Sequence, residues 1–185
     1  MAKILVIAGH SSIEESQFSR PFLEALDGEL FEKKILSQLY PDWRFDVERE
    51  QNDLKNCRSI VFVFPFNWYA PPAILQKWFA DILVKTEHFD VFNSLKGKHV
   101  HSVISTGATE KTYRIDGSNR FSVEQFSRPF EVTIGYIGCI FHLPLVHYAT
   151  YRLDLADVRA IARRFEETMK REVSNSADAA LDIAL

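Results

Sequence analysis

The amino-acid sequence predicts an α/β protein, a single doubly wound domain whose five-stranded parallel sheet carries helices on both faces. Three observations carry that expectation. Short β-branched and aromatic runs alternate with stretches of helical periodicity along the chain. In Ser59-Ile60-Val61-Phe62-Val63-Phe64 the five residues after Ser59 are uninterruptedly apolar, as in a strand covered on both faces. No internal repeat and no linker rich in Gly, Pro or Ser divides the 185 residues, a length that buries one full core.

Each element follows in order. Ile4 to Ala8 is a β-branched strand ending in Gly9-His10, and a helical pattern runs from about Ser16 to Leu26. Leu30 to Leu36 reads as the second strand, closed by the turn chemistry of Tyr40-Pro41-Asp42, with a polar helix over Val47 to Lys55. The third strand is 59–64. After it, apolar residues at 74, 75, 78, 79 and 82 have helical spacing, and Pro72 suits the first turn. Lys96-Gly97-Lys98 turns into a fourth strand, His99 to Ser105. Ser122 to Tyr136 is expected to be helical despite Pro129, Cys139 to Val146 to be the fifth strand, and Asp154 to Val173 the last amphipathic helix. The flavodoxin-like strand order 2-1-3-4-5 is expected, with residues 1–173 as the domain and 174–185 as a tail.

Composition narrows the function. Twenty-two basic against 25 acidic residues give a formal charge of −3 without a basic stripe, so a nucleic-acid partner is not expected. No apolar run is long enough to span a bilayer, and Lys3 to Gly9 lacks a signal-peptide cleavage site; a cytoplasmic protein is expected. Cys57 and Cys139 have neither metal nor redox spacing and read as reduced structural thiols.

In this strand order the loops after strands 1, 3 and 4 converge where a ligand binds beyond the carboxyl ends. The first loop, from Gly9 to Arg20, offers hydroxyls and free amides that attract a phosphate. The alternative there makes Ser16 an N-cap and His10 a loop residue. The second, Pro65-Phe66-Asn67-Trp68-Tyr69-Ala70-Pro71-Pro72, is an apolar aromatic turn pre-organised by its prolines, suited to a planar ligand or else to core or dimer contact. The third, Ser105-Thr106-Gly107-Ala108, lets backbone approach a ring. Neither G-x-G-x-x-G nor a Walker lysine motif is present.

At these loops the chain resembles the flavodoxin-like NAD(P)H:quinone oxidoreductase family, especially its short bacterial members, which include the ancillary flavoprotein of glutathione-gated potassium efflux systems. The likeness covers nearly the whole chain. It is carried by Ala8-Gly9-His10 with Ser16 to Ser19, Leu39-Tyr40-Pro41-Asp42, Phe64 to Tyr69 with Pro72, Leu75 to Asp81, and Leu95 to Lys98. The resemblance implies FMN, with FAD as an alternative, and NAD(P)H as co-substrate. It implies that His10, Ser16, Gln17, Phe18 and Ser19 contact the phosphate and ribityl chain. Phe66, Asn67, Trp68, Tyr69, Ser105, Thr106, Gly107 and Ala108 would then border the isoalloxazine. It further implies ping-pong reduction of a small quinone, a homodimer completing the pocket, Tyr113 as the catalytic candidate, and a possible membrane transporter partner with a location peripheral to the inner membrane.

The chain also departs from that family. One glycine, Gly107, stands where the family has two or three, Glu87 to Asn93 replaces a glycine-aromatic pattern, and no histidine occurs between 102 and 141. These departures keep open a member that binds no flavin, and a regulatory flavoprotein is the other alternative. A flavodoxin-type electron carrier fits less well, because the chain is not strongly acidic. His99 and His101 share a strand face as metal ligands can, but without a third ligand at sequence spacing they are expected to be structural, and no metal site is predicted. His142 and His147 are expected on opposite faces of the fifth strand.

Overall fold

The computed structural model describes the backbone of residues 3–182 and side chains as far as residue 174. Its centre is the parallel sheet expected from the sequence. Strands β1 (Ile4–Ala8), β2 (Phe31–Ile35), β3 (Ile60–Pro65) and β4 (His99–Ser105) lie in the order β2-β1-β3-β4, and β5 (Ile140–Phe141) follows beside β4. The third strand is buried on both faces, as its unbroken apolar run requires.

The fifth strand differs from the expected continuous Cys139 to Val146. It is two short pieces, β5 and β6 (Leu145–His147), each parallel to β4, with His99 opposite Ile140 and Val103 opposite Leu145. Pro144 explains the break: it has no N–H for the ladder and it restricts Leu143 before it.

Helices cover both faces. On one side pack α2 (Leu36–Leu39), α3 (Val47–Asn56), α4 (Ala73–Ile82), α5 (Val91–Leu95), α6 (Val123–Phe126) and α7 (Arg128–Tyr136). On the other lie α1 (Ser19–Ala25) and α8 (Leu155–Asp182), where Phe165 meets Phe22 at 5.7 Å between ring centroids. The helix expected over 122–136 is two, because Ser127 ends the first and Pro129 is tolerated only in the first turn of the second. Ser122 and Gln125 close a capping box at the start of α6. The helix expected from Ser16 begins at Ser19, since Ile13–Glu15 forms a separate 3-10 turn. The boundary drawn at 173/174 falls inside α8, and residues 183–185 of the expected tail lie outside the described residues.

Close packing places the site loops. A Cβ on Gly9 would meet Leu75 Cβ at 2.6 Å, so α4 presses on the end of β1 as only glycine permits. Below that contact sits a buried polar cluster. Lys34, 3% exposed, places Nζ 2.5 Å from both Glu50 Oε1 and Asp53 Oδ2, while Tyr40 Oη and Trp78 Nε1 donate to Glu50 at 2.7 and 2.9 Å. Every strong donor around this carboxylate is thereby satisfied, the condition for a buried charge. Cys57 and Cys139 are free and buried, their thiols pushed up to about 11 chiefly by burial, as expected of reduced structural cysteines.

Candidate functional site

Three loops leave the carboxyl ends of the neighbouring strands β1, β3 and β4. Gly9 N–H donates to Val63 O and Phe66 N–H to Ser105 O, at 3.0 and 2.8 Å, so each loop starts tied to the next. The sequence places its candidates on one sheet edge, and the structure agrees.

In the first loop, His10 Nδ1 accepts from Ser12 N–H at 3.1 Å, and burial holds its pKa below the ordinary imidazole range. The ring is therefore neutral at pH 7, and its proton sits on Nε2, available to donate. Ser16 Oγ accepts from the N–H of Ser19, the first residue of α1, at 2.8 Å, but Phe18 and not Ser16 holds the N-cap position; the Ser16 hydroxyl keeps its own proton to give. Ser19 Oγ is buried without a partner among the described residues. Gln17 is exposed. Phe18 corrects one expectation: its ring is core, 5.7 Å from Phe22 and 5.0 Å from His147, and only its backbone remains for a ligand. The amides of Gln17 and Phe18 donate to nothing among the described residues.

The aromatic turn is a two-residue reversal in which Ala70 N–H donates to Asn67 O at 3.2 Å. Trp68 and Tyr69 occupy its centre at φ 50° and 65°, left-handed values that aromatic residues rarely adopt. Tyr69 is anchored, stacked on Phe126 at 4.8 Å with its hydroxyl 3.3 Å from Asn119 Oδ1. Trp68 is not anchored: it is 91% exposed and stacks on no ring among the described residues. Phe66 is buried behind the turn, 6.3 Å from Tyr113. Beside the turn a cleft of about 370 Å³ opens between Tyr69, Pro71, Phe79, Phe126 and Phe130.

Thr106 in the third loop is committed to structure. Its N–H donates to His147 O at 2.9 Å and its hydroxyl to Ala108 O at 2.8 Å. Ser105 is buried with it, which leaves backbone as what this loop can present. Gly107 faces open space, with nothing within 4 Å of where a Cβ would stand. The amides of Trp68, Tyr69, Gly107 and Ala108 make no hydrogen bond among the described residues. Amides of this kind, where they converge, are the donors that stabilise an anion.

Tyr113 ends a 3-10 turn, 7% exposed, and borders a surface cleft with Arg114, Ser122, Gln125 and Tyr148. Burial raises its pKa, so the phenol is protonated and a donor at neutral pH. No histidine occurs between 102 and 141, yet His147 ends β6 opposite Ser105. Its Nε2 is buried and unpartnered among the described residues, and burial first, then Arg164, push its pKa down to about 4.

Comparison with known proteins fits this arrangement. A family model described as the flavodoxin-like fold matches residues 2–171. The chain belongs to that family. An uncharacterized NAD(P)H oxidoreductase of Bacillus subtilis, YrkL, is 35% identical over 92% of this chain and 99% of its own. The potassium-efflux ancillary protein KefG of Cronobacter sakazakii is 34% identical over 89% of this chain and 91% of its own. Among solved structures, the general stress protein 14 of Treponema denticola in complex with FMN superposes with a TM-score of 0.83 at 27% identity, covering 91% of this chain and 98% of that one.

Proposed function

We propose that this oxidoreductase-family chain is an FMN-dependent NAD(P)H:quinone oxidoreductase, reducing a quinone or similar electrophile by two electrons in a ping-pong cycle. The observation that carries the reading is a set of amides without partners among the described residues on three loops at one sheet edge, with the stacked Tyr69 and Phe126 rings on the second loop's side. Relatives named NAD(P)H oxidoreductase and a similar structure complexed with FMN support it.

The residues present suit the cofactor. Ser16 and Ser19 hydroxyls, the Gln17 and Phe18 amides and the neutral His10 Nε2–H form a donor set for a phosphate end, with Ser19 Oγ otherwise orphaned. When bound, FMN supplies two-electron hydride chemistry that no protein side chain has. The chain's part is to hold and tune. The amides of Trp68, Tyr69, Gly107 and Ala108 would be the donors for negative charge on a bound ring, fixed before that charge develops. Trp68 and Tyr69 would border the ring, and the protonated Tyr113 hydroxyl could donate to an acceptor oxygen in its cleft. A second copy of the chain would cover Trp68 and complete the pocket, which supports a homodimer.

Absorbance of the purified protein near the flavin bands, followed by anaerobic NADH or NADPH and then a quinone, tests the reading. A yellow protein bleached by nicotinamide and restored by quinone is expected. A colourless chain that takes up neither FMN nor FAD overturns it in favour of a flavin-free member. The KefG relative favours a second reading, a regulatory flavoprotein seated on a potassium efflux transporter at the inner face of the membrane. Retention of the transporter on immobilised protein, with negligible quinone turnover, would favour that one.

A further inference from the structure

At the opposite end of β4 from the amide edge, the structure gathers side chains that the proposed redox chemistry does not use. His99 and His101 alternate along β4 and share the face that α8 covers. The parallel register pairs Val100 with Phe141, which sets His142 beside His101, and His142 N–H donates to Val100 O at 3.0 Å. Glu172 reaches down from α8. We propose that His99, His101, His142 and Glu172 form a binding site for a divalent transition metal ion of the zinc type.

The geometry is close to what such an ion needs. Zinc bonds of roughly 2.0–2.1 Å in a tetrahedron set ligand atoms about 3.3 Å apart. Here His99 Nδ1 lies 2.8 Å from His142 Nε2 and 3.5 Å from Glu172 Oε1, while His101 Nε2 lies 3.0 Å from Glu172 Oε2. All four ligand atoms fall within 4.8 Å of one another, so the widest gap has to close by about 1.5 Å, within reach of small side-chain rotations. Three imidazoles and one carboxylate are borderline ligands that suit zinc, nickel, cobalt or copper and disfavour magnesium and calcium. The His99 side chain is 35% exposed, which leaves the ion a path in.

Four protein ligands close a tetrahedral shell and leave no position for substrate, so the site is structural. The four to six residues of β4 that separate it from Ser105 correspond to about 13–20 Å, too far to touch the candidate cofactor edge. What the ion would do is tie β4, β5 and α8 together. The fifth strand needs such a tie, because it is broken at Pro144 and pairs with β4 only through two short pieces.

The full chain, stripped with EDTA, is titrated with zinc chloride against a chromophoric zinc chelator, and separately with cobalt chloride. One zinc per chain at submicromolar Kd is expected, with no competition from millimolar magnesium. Zinc at a hundredfold excess over Kd should raise the melting temperature by about 5–10 °C. Cobalt should give the intense visible bands of a tetrahedral site. Glu172→Gln and His99→Gln should each weaken zinc by about a hundredfold or more, more than loss of an outer-shell partner does. Melting curves in EDTA establish that each variant folds, and the cobalt spectrum of the unaltered chain requires no variant. Zinc binding that survives both substitutions, weak octahedral cobalt bands, or no zinc retained below about 10 µM would overturn the proposal and leave a hydrogen-bonded histidine cluster.

Discussion

Replacing Trp68 by glycine should move two quantities in opposite directions. In the chain alone Trp68 is 91% exposed and held at φ 50°, so it contributes backbone strain and almost no burial. A left-handed conformation costs an L-residue roughly 1–2 kcal/mol, which glycine avoids. Glycine in turn loses about 0.5–1 kcal/mol more backbone entropy on folding. The net expectation for the flavin-free monomer is a stability gain of about 0–1.5 kcal/mol, read from the urea midpoint at unchanged m-value. Flavin retention should fall. A ring face covered by the indole removes about 40–100 Å² of apolar surface, worth about 1–2.5 kcal/mol at 25 cal/mol per Å². With the loss of a fixed turn the total reaches about 1–3 kcal/mol, or roughly 5- to 150-fold in Kd. Quenching of FMN fluorescence by the flavin-free protein measures it. A variant that binds FMN as tightly as the parent refutes the assignment of Trp68 to the cofactor wall. A monomer destabilised by 2 kcal/mol refutes the claim that the turn is strained.

Three further outcomes are expected. Glu50→Ala should cost about 3–5 kcal/mol in denaturant unfolding, because Lys34 keeps only Asp53 and the Tyr40 and Trp78 donors lose their acceptor; a cost below 1 kcal/mol would contradict the buried-network account. His147 is depressed to about 4 in the folded chain from 6.5, so the unfolded state takes up the proton first and stability declines as pH falls from about 6.5 to about 4. Discounted for solvent that reaches the ring, this amounts to about 1 kcal/mol between pH 7 and pH 5, and His147→Leu should flatten that part of the profile; an unchanged profile would place the acid sensitivity elsewhere. Tyr113→Phe should lower kcat for quinone about tenfold or more with little change in KM, while an unchanged kcat would make Tyr113 a packing residue against Phe66.

The strands and the edge were legible in the sequence because both rest on short-range pattern. An apolar run such as 60–64 suggests a doubly covered strand, and its alternation with helical periodicity suits a doubly wound sheet, for which the expected order 2-1-3-4-5 is the one observed. Within the site, the loops were readable but the role of each side chain was not. Phe18 reads like its neighbours Gln17 and Ser19, yet its ring is consumed by Phe22 and His147, and Thr106 is consumed by the strand beside it. The break in the fifth strand turned on Pro144, which the apolar pattern of its neighbours masked.

The sequence by itself determined the layered fold, the three loops that leave neighbouring strands and the residue types they carry, because periodicity, proline and glycine act over a few residues. The tertiary structure decided which amides were left without partners, that Trp68 stands free in a strained turn, and that His142 and Glu172 join His99 and His101. The reason is distance along the chain. Glu172 lies 71 residues from His101, and only the register of neighbouring strands and the docking of α8 bring such groups within bonding reach.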